Sequence, residues 1–250
     1  MPGVPALKRV GHKGADLIAP GNTIASFDAA LAVGVDMVEF DVLPERADGS
    51  GRLVLAHDAD HAAAGTPVTL EEGLAHLARA DVELDVDLKR SGYEARVVDA
   101  LRRFGVTERA LVSTTEPESL RAVRALAPGL RLGWSVSEAR VARQAPRELR
   151  AGRIDAIMAH TSVATGRLVR AVREAGGELY VWTVDDAQEV ERFERLGVTG
   201  VITNDPRLFT RSGTSPPRSR PDRRPWSPRD RRSSPGAPGP RRAGRDATGT

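Results

Sequence analysis

From residue 9 to residue 209, short apolar runs of strand type alternate with amphipathic stretches. The strand-like segments are RVGHKG (9–14), DMVEFDV (36–42), RLVLAHD (52–58), VELDVDLK (82–89), ALVSTT (110–115), LRLGWSV (130–136), DAIMAH (155–160), ELYVWTV (178–184) and GVITN (200–204). Between most of them the apolar positions recur at helical spacing, with polar residues on the opposite face. NTIASFDAALAVGV opens on the capping pair Asn22 and Thr23 and ends at Gly34, and EPESLRAVRALAPG carries acidic residues in its first turn with Gly129 after it. TGRLVRAVREAGG and DAQEVERFERLG repeat the scheme.

Strand–helix units of this size predict a parallel sheet with helices outside it, either a closed eight-stranded barrel or a doubly wound sheet. No G-x-G-x-x-G or G-x-x-x-x-G-K-[ST] follows any of the strands, which argues against the dinucleotide and P-loop versions of the open sheet. Nine segments are one too many for a barrel. The segment at 52–58 follows its predecessor across the turn ERADGSG with no helix between, so it is expected to be a hairpin partner outside the barrel. Eight strands remain, and the expected fold is a (β/α)8 TIM barrel over residues 1–210. A small Ala-rich insertion, 59–80, would cap one side of its rim.

Charge changes the picture of the rest of the chain. The formal net charge is +3, yet residues 211–250 contain eleven arginines and three aspartates, a net of +8, which leaves about −5 on the first 210. The tail has no Leu, Ile, Val, Phe or Met and cannot bury enough apolar surface to offset its chain entropy, so it is expected to be disordered. Its arginines would attract anionic surfaces. The barrel part is mildly acidic, with no basic stripe for nucleic acid. The absence of cysteine excludes disulfides and thiolate chemistry and suits a reducing cytoplasm, and no apolar run reaches the length of a membrane span.

Polar residues then gather where a barrel has its active rim, at the C-terminal ends of strands. His12 ends the first strand. Glu39 and Asp41 lie two apart and share a face, as do Glu83, Asp85, Asp87 and Lys89. His57 and Asp58 close the hairpin, His160 ends a later strand, and Trp182 lies near the end of another. Inward carboxylates are costly unless paired or bound to metal. Glu39, Asp41 and Asp87 offer oxygen ligands for Mg²⁺ or Ca²⁺, although Glu39 or Asp41 in an ion pair with Lys13 or Lys89 is the simpler alternative. Two histidines suit general acid–base work near neutral pH. Lys13 and Lys89 suit a phosphate oxygen, and Trp182 a pocket wall. Together these parts point to phosphodiester hydrolysis. His61 and His76 are expected at the surface.

The motifs HKG (12–14), PGNTIASF (20–27), EFDV (39–42), HD (57–58) and DLK (87–89), followed by VWTVDD (181–186) and LGVTGVITNDP (196–206), together resemble the glycerophosphodiester phosphodiesterase family. The resemblance covers residues 9–209. It implies a TIM barrel that hydrolyses glycerophosphodiesters to glycerol 3-phosphate and an alcohol. His12 and His57 would exchange acid and base roles, and Glu39, Asp41 and Asp87 would hold a divalent metal. The sequence departs from the family pattern at Lys13, where Arg is usual, at Gly21 in place of Glu, and at Asp87 in place of Glu. Two further readings stay open: the same chemistry on lysophospholipids or other phosphodiesters, and a barrel that binds phosphorylated ligands without turnover.

Overall fold

The computed structural model describes residues 6–63 and 65–211. Eight parallel strands close into a barrel: β1 (Lys8–Gly11), β2 (Met37–Pro44), β4 (Glu83–Leu88), β5 (Ala110–Thr114), β6 (Arg131–Val136), β7 (Ala156–His160), β8 (Glu178–Trp182) and β9 (Gly200–Thr203). Each pairs with the next, and β9 pairs with β1 to complete the ring. The remaining strand, β3 (Leu53–Val54), pairs antiparallel with the end of β2 and stands outside the ring, as the hairpin reading expects. Only two residues of the predicted seven-residue segment are strand. Beyond them the chain turns toward the rim and carries His57 there.

The outer helices are α1 (Ile24–Val33), α3 (Leu70–Leu77), α4 (Glu94–Arg103), α5 (Pro117–Leu126), α6 (Ala139–Arg150), α7 (Gly166–Glu174), α8 (Ala187–Leu196) and α9 (Leu208–Arg211), with the short α2 (Ala59–Ala63) between β3 and α3. The stretch expected to be an insertion therefore contains the second barrel helix. The reason lies in T-L-E-E: Thr69 accepts the Glu72 N–H, and the Glu72 carboxylate accepts the Thr69 N–H in return, a reciprocal cap that starts α3. Leu70, Leu74 and Leu77 then bury against the sheet. Apart from Arg211, the predicted disordered tail lies outside the described residues. Among the described residues no helix is long and apolar enough to cross a membrane.

Strand register sorts the barrel interior into three levels. At the N-terminal end, Lys8 and Arg131 both meet the Glu83 carboxylate at 2.9 Å, and Arg131 also pairs with Glu178. Above this ionic floor sits an apolar plug of Val10, Met37, Leu111, Ala156, Met158, Tyr180 and Ile202. The third level, at the C-terminal rim, is polar. Register puts Asp41 beside Asp87 and Asp87 beside Ser113. The plug lies between the two charged levels, although Arg131 of the floor still lowers the Asp85 pKa from below.

Candidate active site

β1 stops at Gly11, one residue before the histidine, and the His12 N–H is held by the carbonyl of Thr203 (2.8 Å). The turn that follows is left-handed at Lys13 (φ 51°) and at Gly14 (φ 89°). Gly14 is required for contact as well as conformation: a Cβ there would lie 2.6–2.8 Å from Ser26 atoms at the start of α1. Turned this way, the Lys13 N–H donates to Glu39 Oε2 (2.7 Å) and the Ser26 hydroxyl donates to the Lys13 carbonyl (2.7 Å). HKG is thus a clamp between β2 and α1 as much as a source of side chains.

The tautomer of His12 follows from its neighbours. The Asn204 side-chain amide donates to Asp185 Oδ2 (2.7 Å), and a carboxylate only accepts, so the Asn204 oxygen faces the histidine. That oxygen lies 2.6 Å from His12 Nδ1, which must carry the proton. Nε2 is left with its lone pair, 3.8 Å from Glu39 Oε2. Burial, against the raising effect of the Asn204 bond, holds the His12 pKa below the usual imidazole range, and the nearby Lys13 charge adds to the depression. A neutral ring with a free Nε2 is a proton acceptor.

Glu39, Asp41 and Asp87 each bring a carboxylate oxygen within 4.8 Å of the others. Asp41 is fully buried. Its backbone N–H and its Oδ2 are both engaged by Asn22, whose amide accepts the first at 3.0 Å and donates to the second at 2.9 Å. Asn22 sits at φ 60°, a conformation that Asn tolerates better than most residues. Asp41 Oδ1 accepts no well-formed hydrogen bond, although Lys89 Nζ lies 2.6 Å away. The same ammonium donates to Asp87 Oδ2 at 2.6 Å. Tyr93 steadies Lys89: its hydroxyl donates to the Val42 carbonyl at 2.6 Å and accepts the Lys89 N–H at 3.0 Å.

One ammonium does not balance this group. Burial, then Asp41 and Asp85, push Glu39 well above the usual carboxylate range. Burial raises Asp87 as well, only partly offset by Lys89. Burial also lifts Asp85 to about 7, although the Ser113 hydroxyl donates to it at 2.7 Å. Burial alone would raise Asp41, but Lys89 and the Asn22 amide hold it low. A cluster of buried oxygens with an excess of negative charge and one under-used acceptor fits a hard dication. Asp87, one methylene shorter than the family's Glu, still reaches the cluster.

His12, Glu39, His57, Asp87, Lys89 and Trp182 line a single rim cavity of about 380 Å³. Trp182 is braced by its indole N–H to the Met158 carbonyl (2.9 Å) and meets the His160 ring edge-on at 5.0 Å. His160 itself bonds Ser162, a structural role. Asp41, fully buried, does not line this cavity. Lys13 lines an adjoining hollow with Gly21 and His57. His61 is exposed, and His76 is half-buried in a 2.8 Å pair with Asp28.

A family model described as "Glycerophosphoryl diester phosphodiesterase family" matches residues 12–69 and 78–208. The chain belongs to that family. Its enzyme class, phosphoric diester hydrolase, comes with the membership. A relative named glycerophosphodiester phosphodiesterase, from Caldanaerobacter subterraneus subsp. tengcongensis, is 27% identical over 234 residues, covering 79% of this chain and 93% of that one. A glycerophosphodiester phosphodiesterase from Agrobacterium tumefaciens, solved by crystallography, superposes with a TM-score of 0.68 at 22% identity, over 82% of this chain and 100% of the other. The Oleispira antarctica phosphodiesterase, solved in complex with the product sn-glycerol-3-phosphate, gives 0.70 at 22% identity, over 82% of this chain and 96% of the other. At these identities the two solved structures speak to the fold.

Within the family frame, the departure at Gly21 has a local cause. Its N–H donates to Asp16 Oδ1 at 2.7 Å, and a Cβ at position 21 would stand 2.7 Å from that oxygen and 2.8 Å from Lys13 Cβ. Asp16 occupies the space a side chain would need. Sequence reasoning took Asn22 for half of a helix cap. Thr23 and Ser26 make the cap, and Asn22 instead orients Asp41. Asn204 and Asp185, which orient His12, were passed over although both lie in the quoted TVDD and VITND segments. A polar residue straight after a buried barrel strand is the signal that would have found Asn204; Asp185 lies three residues past the end of β8.

Proposed function

We propose that the chain hydrolyses glycerophosphodiesters to glycerol 3-phosphate and an alcohol, with His12 and His57 as the acid–base pair. The observation that carries this reading is the shared cavity: two histidines from different segments of the rim face one space with Glu39, Asp87 and Lys89. Glu39, Asp41 and Asp87 would hold a divalent cation, Mg²⁺ or Ca²⁺. Bound there, such an ion supplies charge stabilisation for a phosphoryl oxygen.

The chain's own residues do the rest. His12, with Nδ1–H fixed on Asn204, takes a proton at Nε2 from the substrate hydroxyl next to the phosphate. His57, half-exposed in the same cavity, delivers a proton to the departing alcohol oxygen. The hydroxyl oxygen bonds to phosphorus as the bond from phosphorus to the alcohol oxygen breaks, giving a cyclic phosphate. The pair then reverse roles, His57 taking a proton from the attacking water and His12 returning one to the glycerol oxygen as the ring opens. Lys89 bridges Asp41 and Asp87 and offers its positive charge to the phosphate. Lys13 adds positive potential from the adjoining hollow, and Trp182 walls the side where the glycerol carbons lie.

A screen of glycerophosphodiesters, lysophospholipids and other phosphodiesters, each with Mg²⁺, Ca²⁺ or Mn²⁺ and with chelator, tests the reading. Release of glycerol 3-phosphate that requires metal is expected. Faster turnover of acyl-bearing substrates would move the assignment to lysophospholipids, and metal uptake without any hydrolysis would leave a binding barrel.

A further inference from the structure

A second set of ligand-type side chains stands on the same rim, built around one carboxylate. Asp58 Oδ1 accepts the His61 N–H at 2.9 Å and so starts α2. The same carboxylate also meets two imidazoles: Oδ1 lies 2.9 Å from His61 Nδ1, and Oδ2 lies 3.3 Å from His57 Nδ1. One ring nitrogen of each histidine and one Asp58 oxygen lie within 4.8 Å of one another. All three side chains are open to solvent, at 50% for His57, 47% for Asp58 and 68% for His61. The His61 N–H holds the Asp58 pKa down at about 2, so the carboxylate is ionised throughout the neutral range.

Two imidazoles with one carboxylate differ in kind from the all-oxygen trio of Glu39, Asp41 and Asp87. Imidazole nitrogen suits zinc and its neighbours in the first transition row, whereas magnesium and calcium prefer oxygen. The rim therefore presents two sites of different softness, joined by His57, which lines the central cavity as well. A ring that gives one nitrogen lone pair to a metal keeps its proton on the other nitrogen. It can no longer accept and release a proton near neutral pH.

We propose that His57, Asp58 and His61 bind a transition-metal dication of the zinc class, and that its binding stops hydrolysis by withdrawing His57 from proton transfer. The inhibitory half rests on the acid–base role given to His57 above; the binding half does not. Neutral imidazoles offer one nitrogen each and keep the remaining proton, so coordination consumes no proton and changes no oxidation state. His61 is the distinguishing ligand, because it has no part in the proposed hydrolysis.

The test uses the full, untagged chain in saturating Mg²⁺, with Zn²⁺ as the probe. Bound zinc per chain is measured after dialysis, and hydrolysis is measured against zinc concentration, for wild type, His61→Ala and His76→Ala. Wild type and His76→Ala are expected to take up one zinc ion that His61→Ala lacks. His61→Ala should keep wild-type activity without zinc and need at least about tenfold more zinc for half-inhibition. Equal zinc uptake and equal inhibition in wild type and His61→Ala would overturn the proposal. Uptake that depends on His61 with no inhibition would overturn its regulatory half. Should no variant hydrolyse any substrate, the functional reading fails, while the uptake measurement still decides the site.

Discussion

At the residue scale the site depends on how a few polar groups are oriented. Asp185 fixes the Asn204 amide, and the amide oxygen fixes the proton of His12 on Nδ1. Asn204→Ala removes that choice while leaving the histidine in place. We expect kcat to fall by about 10–100-fold with KM little changed, and the acidic limb of the pH–rate profile to move. The limb should move toward lower apparent pKa, because the Asn204 bond is what raises the His12 pKa against burial. An unchanged kcat and profile would remove Asn204 from the mechanism. Much of this scale was legible in the sequence. His12, Glu39, Asp41, His57 and Asp87 were all named from strand parity and motif order, and the structure brings the carboxylates together. What was hidden is orientation. Nothing in the order of residues says that Asn22 folds back on Asp41 at φ 60°, or that Lys13 serves through its main-chain N–H.

At the element scale, eight of nine strand-like segments became barrel strands, and β2, β5 and β9 are buried along their whole length, as strands covered on both faces are. The hairpin at β3 was legible from the missing helix and the Gly-rich turn. The helix at 70–77 was not, because an Ala-rich run obscured the Thr69–Glu72 cap that defines it. Of the ionic floor, the sequence showed only Glu83 sharing a face with Asp85, Asp87 and Lys89. Lys8 and Arg131 overcome the raising effect of burial and hold the Glu83 pKa below its ordinary value. The unfolded chain returns Glu83 to about 4.3. A depressed folded pKa therefore adds stability that is present above about pH 4.3 and is lost as pH falls through the folded value. Glu83→Gln should cost about 3 kcal/mol at neutral pH, because two half-buried cations lose a carboxylate. Its stability should also fall less than that of wild type between pH 5 and 3, on the order of that window. Urea unfolding across pH checks both; parallel curves for the two proteins would show that Glu83 carries no pH-linked stability.

At the scale of the whole molecule, the barrel gathers buried carboxylates at one end, with an apolar plug between them and the ion pairs at the other. Divalent metal should therefore stabilise the fold as well as support hydrolysis. At a free concentration of about 100 times Kd the gain is about 2.7 kcal/mol, read as a rise in Tm with Mg²⁺ or Ca²⁺ that Asp41→Asn abolishes. The same Tm with chelator and with saturating Mg²⁺, Ca²⁺ and Mn²⁺ would refute the trio as a metal site. The central claim is that His12 and His57 exchange acid and base roles around one cavity, and the kcat of His12→Ala and His57→Ala on the best glycerophosphodiester tests it most directly. Each variant is predicted to lose about 10²–10⁴-fold in kcat while keeping the wild-type circular dichroism spectrum. Wild-type kcat in either one would contradict the account.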